Sequence, residues 1–288
     1  MSIRWVFAAA FLAVGIGAAL TPTITVRAQE REPADEHYLL ALRYKQAGRN
    51  AEALREAREA ARLRPTHAAA HFTIGAIERQ NGRLEEALTE FRRVTELEPD
   101  HANGHAMVGA VLARLHRCGE AIASLERATQ LDHSDVSSWA NLGGCLRSER
   151  RLPDAVAAYR NGLRHNPNDP DLLNNLGVAL RTMGRNEEAL QTFQSALARA
   201  PNQPELNVNI ATVYRRMNRW ADAARHYEVG LRGLPDEQDA IFDLAYCYEQ
   251  LGRNDDAIRE YRRYINAVRN RDPDGAARAE QRLIALGG

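Results

Sequence analysis

Lysine is nearly missing from this sequence. Lys45 is the only one, so arginine carries almost all of a positive charge that balances the acids, 38 against 38. A net charge of zero removes the broad basic footprint that nucleic-acid or anionic-surface binding requires, so no nucleic-acid partner is expected. Aromatic residues make up only 6% of the chain and β-branched residues are sparse, which disfavours a sheet. The good helix formers Ala, Leu, Arg and Glu dominate instead, and they point to an all-α protein. The three cysteines, Cys118, Cys145 and Cys247, suit neither a zinc site nor a dense disulfide framework. A Gly-rich phosphate loop and a nucleophile elbow are lacking, as is any clustered acid pair outside the 34-residue repeats set out below, so the sequence predicts no enzyme, no cofactor and no small-molecule substrate.

Long apolar runs are scarce as well. The one candidate is N-terminal: Arg4 precedes an apolar run from Trp5 to Leu20, followed by a polar stretch broken at Pro22. Val26-Arg27-Ala28 then places apolar or small residues three and one before Gln29, the pattern of a signal-peptidase site. The run is short of the roughly 20 residues a membrane-spanning helix needs. Residues 1–28 therefore read as a signal peptide, with an uncleaved anchor as the alternative, and residues 29–33 as a short linker. Export, most naturally to a bacterial periplasm, follows from that reading. Membrane association follows only if the segment stays uncleaved.

Beyond that segment the sequence is periodic. Pro65, Pro99, Pro167, Pro201 and Pro235 fall on one 34-residue grid, with His133 at the missing slot. With proline as position 32, the repeats span 34–67, 68–101, 102–135, 136–169, 170–203, 204–237 and 238–271 without an insertion. Position 20 is Ala in all seven, from Ala53 to Ala257, and position 8 is Gly or Ala throughout. Position 7 is always aliphatic, and position 24 is large in every repeat but the first, where Ala57 stands. Small residues let two helices cross closely, and large ones fill the space left. Gly48, Gly82, Gly184 and Gly252 stand at position 15, where a first helix must stop in a left-handed conformation; Asn218 suits that place, and His116 and Arg150 suit it less well. Residues 272–288 lie off the grid. Asp272-Pro273 reads as an N-cap followed by a first-turn proline, opening a helix from about Asp274 to Leu286. Leu283, Ile284 and Leu286 would cover the open end of the stack, as a terminal cap must.

These columns resemble the tetratricopeptide-repeat (TPR) family, over about 34–271. The resemblance implies a right-handed superhelical α-solenoid of seven helix-turn-helix repeats, here with a C-terminal capping helix. It also implies protein–protein binding on a concave face lined by helix A, the first helix of each repeat.

Two columns on that face stand out. Position 6 forms an asparagine ladder, Asn141, Asn175 and Asn209, continued by Asp243. An amide both donates and accepts, so a row of them can hold the backbone of an extended segment whatever its side chains. Position 12 is basic, with Lys45, Arg79, Arg147, Arg181 and Arg215, while Arg114 and Arg216 stand one residue further on. Such a column offers forked donors to an acidic partner segment, although cations in a last helical turn also complement the helix dipole. The carboxylate clamp of chaperone-binding relatives needs Lys at position 5 and Asn at position 9 of the first repeat. Tyr38 and Leu42 stand there, so no such clamp is expected. The pairs His67/His71 and His101/His105 offer two ligands each with nothing to complete a metal set, and they read as packing residues. Cys118 and Cys145 occupy columns that meet between neighbouring repeats. An oxidising compartment would join them, and a reducing one would leave two packing thiols.

Overall fold

In the computed structural model the described residues are 32–288. The expected signal peptide (1–28) lies outside them, as do residues 29–31 of the expected linker. The described chain is all helix: α1 (Pro33–Gln46), α2 (Asn50–Leu63), α3 (Ala68–Gln80), α4 (Leu84–Leu97), α5 (Ala102–Arg114), α6 (Cys118–Leu131), α7 (Val136–Ser148), α8 (Leu152–His165), α9 (Pro170–Thr182), α10 (Asn186–Arg199), α11 (Pro204–Arg216), α12 (Trp220–Gly233), α13 (Gln238–Gln250), α14 (Asn254–Val268) and α15 (Pro273–Ala285). Each odd helix up to α13 packs on the even helix that follows, and that helix packs on the next odd one, so the pairs stack into a superhelical solenoid.

The columns explain the packing. A Cβ added at Gly143 would lie 2.5 Å from the Tyr159 ring, and one at Gly177 would lie 2.6 Å from the Phe193 ring. Each bulky position-24 side chain therefore sits directly on the small position-8 residue of its own repeat. The bulky side chains Phe91, Leu125, Tyr159, Phe193, Tyr227 and Tyr261 are fully buried, as is the alanine at position 20 of every repeat. The turn between the paired helices is left-handed in all seven repeats. His116, Arg150 and Asn218 adopt φ of 59°, 61° and 58°, alongside the four glycines. Sterically uncomfortable side chains thus accept the geometry that the stack imposes.

Asp272 caps α15 by accepting from the Gly275 amide at 2.9 Å, and Pro273 fills the first turn. Ala276 and Ala279 are buried against the stack, with Leu283 and Leu286 packed beside them. The expectation for Ile284 is overturned: it is 73% exposed. Ala276, Ala279, Leu283 and Leu286 are spaced to share one helical face, and Ile284 lies off it. Among the described residues no helix is long and apolar enough to cross a membrane.

Candidate functional site

The odd helices α3 to α13 present the predicted ladder and arginine column, but the structure treats the rungs differently. Asn209 is committed within the chain: its Oδ1 accepts from Arg181 at 2.9 Å, and its Nδ2 donates to Asn174 Oδ1 at 2.9 Å. Asp243 is committed too. It accepts from the Tyr227 hydroxyl at 2.8 Å and pairs with Arg215 at 2.9 Å. That Nε–H is not aimed along the contact, so the Arg215–Asp243 link is an ion pair rather than a good hydrogen bond. Asn141 and Asn175 are half-buried, and among the described residues neither side chain makes a hydrogen bond within the protein.

The cations divide in the same way. The position-16 arginines of the turns are consumed locally: Arg117, Arg151, Arg185, Arg219 and Arg253 each pair with an acid three residues on. Arg49 does the same with Glu52, and Arg83 turns back to Glu78. On the odd helices Arg79, Arg114, Arg147 and Arg181 have no carboxylate within ion-pair distance among the described residues, and Lys45 is likewise unpaired. Burial, and secondarily Arg216, lowers the pKa of Arg181 from its usual value. The Arg79 Nε is buried without a hydrogen-bond partner.

Towards the C-terminus lies a cleft of about 420 Å³, lined by Arg181, Asn209, Arg215 and Asp243 with Tyr264 and Arg278. Four of the eight residues expected to bind a partner thus converge on one cleft. Burial raises the pKa of Asp243, and Arg215 and Tyr227 only partly offset it. At the last repeat the basic column reverses sign. Position 12 is Glu249, held by Arg282 of α15 at 2.7 Å and by the Tyr261 hydroxyl at 2.8 Å.

Sequence reasoning missed the tyrosine hydroxyls of position 24 and the arginines of α15. The signal was there, because Tyr stands among apolar residues in one column: Phe91, Leu125, Tyr159, Phe193, Tyr227, Tyr261. A hydroxyl in a buried column asks for a partner.

The histidines are structural. His67 and His101 cap α3 and α5 by accepting from the Ala70 and Gly104 amides at 3.3 and 2.8 Å. His71 and His105 donate from Nε2 to the carbonyls of Pro65 and Pro99, and Trp139 does the same to His133 at 2.8 Å. At position 4 of the second, third and fourth repeats a ring N–H thus reaches the carbonyl six residues back. No group of three metal-ligating side chains occurs among the described residues. The Cys118 and Cys145 sulfurs lie 2.6 Å apart as free thiols, the Cys145 thiol pushed up to about 12 by burial and by Cys118.

A family model described as tetratricopeptide repeat matches residues 38–102, 109–161, 146–204 and 208–268, and a second of the same description matches 180–232. No curated protein matches the chain. Among solved structures, YrrB, a TPR protein with an unusual peptide-binding site, is 23% identical with a TM-score of 0.56, over 59% of this chain and 87% of its own. PilF of Pseudomonas aeruginosa is 19% identical with a TM-score of 0.63, over 75% and 97%. PilW, a widely conserved type IV pilus biogenesis factor, is 18% identical with a TM-score of 0.59, over 71% and 95%. At such identities the likeness shows the fold.

Proposed function

Because the chain belongs to the tetratricopeptide repeat family, a family of protein–protein interaction scaffolds, we propose that it is an exported, non-catalytic scaffold. It captures an extended or helical acidic segment of a partner protein along its concave face. The supporting observation is the set Arg79, Arg114, Arg147 and Arg181, concave-facing cations without carboxylate partners of their own. The asparagines at 141, 175 and 209 add backbone recognition, the last by exchanging its internal bonds.

Replacing all three asparagines with Ala is expected to abolish retention of the partner in affinity purification while the helical circular dichroism is unchanged. Retention at the parent level rejects the groove.

A second reading is favoured by the resemblance to PilF and PilW: a structural spacer or assembly factor of an envelope, pilus or polysaccharide-export machine, working through the convex face or the ends. Cross-links from native membranes mapping to the even helices, rather than the odd ones, would select it.

Export is supported by the apolar run before Ala28. In an oxidising compartment the contact between Cys118 and Cys145 becomes a disulfide: both thiols lose hydrogen, and a partner disulfide of an oxidoreductase is reduced to two thiols. The intact mass of the secreted protein should then start at Gln29 and fall about 2 Da below the all-thiol value. A start at Met1 with three alkylatable thiols rejects both.

A further inference from the structure

The repeats of this chain provide an internal template for a ligand. Between the sixth and seventh repeats, one carboxylate is held by a position-24 tyrosine and a position-12 arginine: Asp243 accepts from Tyr227 at 2.8 Å and pairs with Arg215 at 2.9 Å. Thr212 also meets the Tyr227 hydroxyl, at 3.1 Å. The carboxylate comes from position 6 of the following repeat.

Only one other junction repeats this tyrosine and arginine. Between the fourth and fifth repeats the equivalents are Tyr159 and Arg147, and position 6 of the following repeat is the amide Asn175. The rest of the stack differs. Arg181 has Phe193 in place of a tyrosine and closes onto Asn209. Arg79 has Phe91, the third repeat has Leu125 and Ala113, and Tyr261 faces Glu249 rather than an arginine.

The Tyr159 side chain is fully buried, yet its hydroxyl has no hydrogen-bond partner among the described residues. A buried donor left unpaired costs stability, and native proteins rarely keep one without a use. The hydroxyl lies 3.9 Å from where a Cβ at Gly144 would stand, on α7, the helix that carries Arg147. Arg147 is exposed, without a carboxylate of its own. Burial raises the pKa of the Tyr159 phenol and Arg147 opposes the rise, so the two groups sense each other.

We propose that Arg147, Tyr159 and Asn175 form a subsite for one carboxylate of the partner, an Asp or Glu side chain or a chain terminus, seated where Asp243 supplies the chain's own at the next-but-one junction. This rests on the groove reading given above. It also assigns the groove a division of labour: repeats two to five recognise an acidic segment, and repeats six and seven answer their own charges.

The test uses the mature chain, fluorescein-labelled hexaglutamate as the probe and labelled hexaglutamine as the neutral control, read by fluorescence anisotropy. Hexaglutamate should bind and hexaglutamine should not. Asn175→Asp supplies the carboxylate from within, so it should raise Tm by about 2 °C and weaken hexaglutamate about tenfold. Arg147→Ala should weaken the probe by a similar factor, whereas Arg164→Ala, at the far end of α8, should leave it unchanged. Equal binding of the two peptides, or undiminished binding by both Asn175→Asp and Arg147→Ala, overturns the subsite. If the triple asparagine variant keeps its native partner, the groove itself is rejected. If that variant loses the partner while Asn175→Asp binds hexaglutamate like the parent, the groove stands and the carboxylate subsite falls.

Discussion

Glu78 is a fully buried carboxylate in a column that the other repeats fill with Tyr44, Leu112, Leu146, Leu180, Tyr214 and Tyr248. It is held by Arg58 at 2.6 Å and by Arg83, two arginines whose side chains are 58% and 47% exposed. The exposure decides which mutation hurts. Removing both arginines leaves a charge buried and unpaired, so Arg58→Ala with Arg83→Ala should cost about 3–5 kcal/mol in urea unfolding. Removing the carboxylate returns two arginines to water, and Glu78→Leu restores the apolar column, so it should be neutral or stabilising. A large loss from Glu78→Leu would mean that the ion pair contributes net stability. Arg150 presents the opposite balance, a side chain with no ion pair among the described residues at a φ of 61°. Arg150→Gly relieves that left-handed strain and should raise stability by about 1 kcal/mol, seen as an increase in Tm.

At the scale of the element, His71 ties α3 to α4. Both ring nitrogens face acceptors, Glu90 at 2.6 Å and the Pro65 carbonyl at 3.1 Å, which only the doubly protonated imidazolium satisfies. The hydrogen bond to Glu90 raises the His71 pKa above 6.5 against the effect of burial. Its contribution is therefore fully present below about pH 6.5 and is lost as pH rises through the raised folded value. His71→Gln should lower the urea midpoint more at about pH 5.5 than at about pH 9. His67 works in the opposite sense: burial, and to a lesser extent Arg64 and His71, favour its neutral form. None of this pairing was legible from the columns, and the reason is physical. The grid reports what each repeat shares, namely small residues at 8 and 20, bulk at 24 and a left-handed turn at 15, and these specify the helices and their stacking. Partner choice lies in what the repeats do not share. Asn209 and Asn175 are alike in sequence, yet only Asn209 meets Arg181 across one junction and Asn174 across the same interface. Ile284 misled for a related reason: its apolar character was visible, but the phase of α15 against the stack was not.

At the scale of the whole molecule, substantial contacts among the described residues run only between consecutive helices and between odd helices of adjacent repeats. Stability is then a chain of nearest-neighbour terms, and a local defect stays local. Most buried apolar residues fall into two clusters, a small one of Ala41, Ala53, Leu54, Ala57, Ile74 and Ile77, and a large one running from Ala87 to Ala279. The division passes through the second repeat, where Glu78 takes a place that apolar or aromatic side chains fill elsewhere. The first repeat thus leans on a junction that carries the buried Glu78 carboxylate, while α3 also packs its Gly75 and Phe72 against Phe91 of α4. Hydrogen exchange with mass spectrometry should show the consequence. Arg58→Ala with Arg83→Ala should strip protection from α1, α2 and α3 while α9 to α14 keep theirs, because no contact carries the loss further than a neighbouring pair. In Glu78→Leu the two clusters join, and protection of α1 to α3 should rise towards that of the remaining stack. A uniform loss along all helices in the double arginine variant would contradict this view, since it would mean that the solenoid unfolds as a single cooperative unit despite the division of its core.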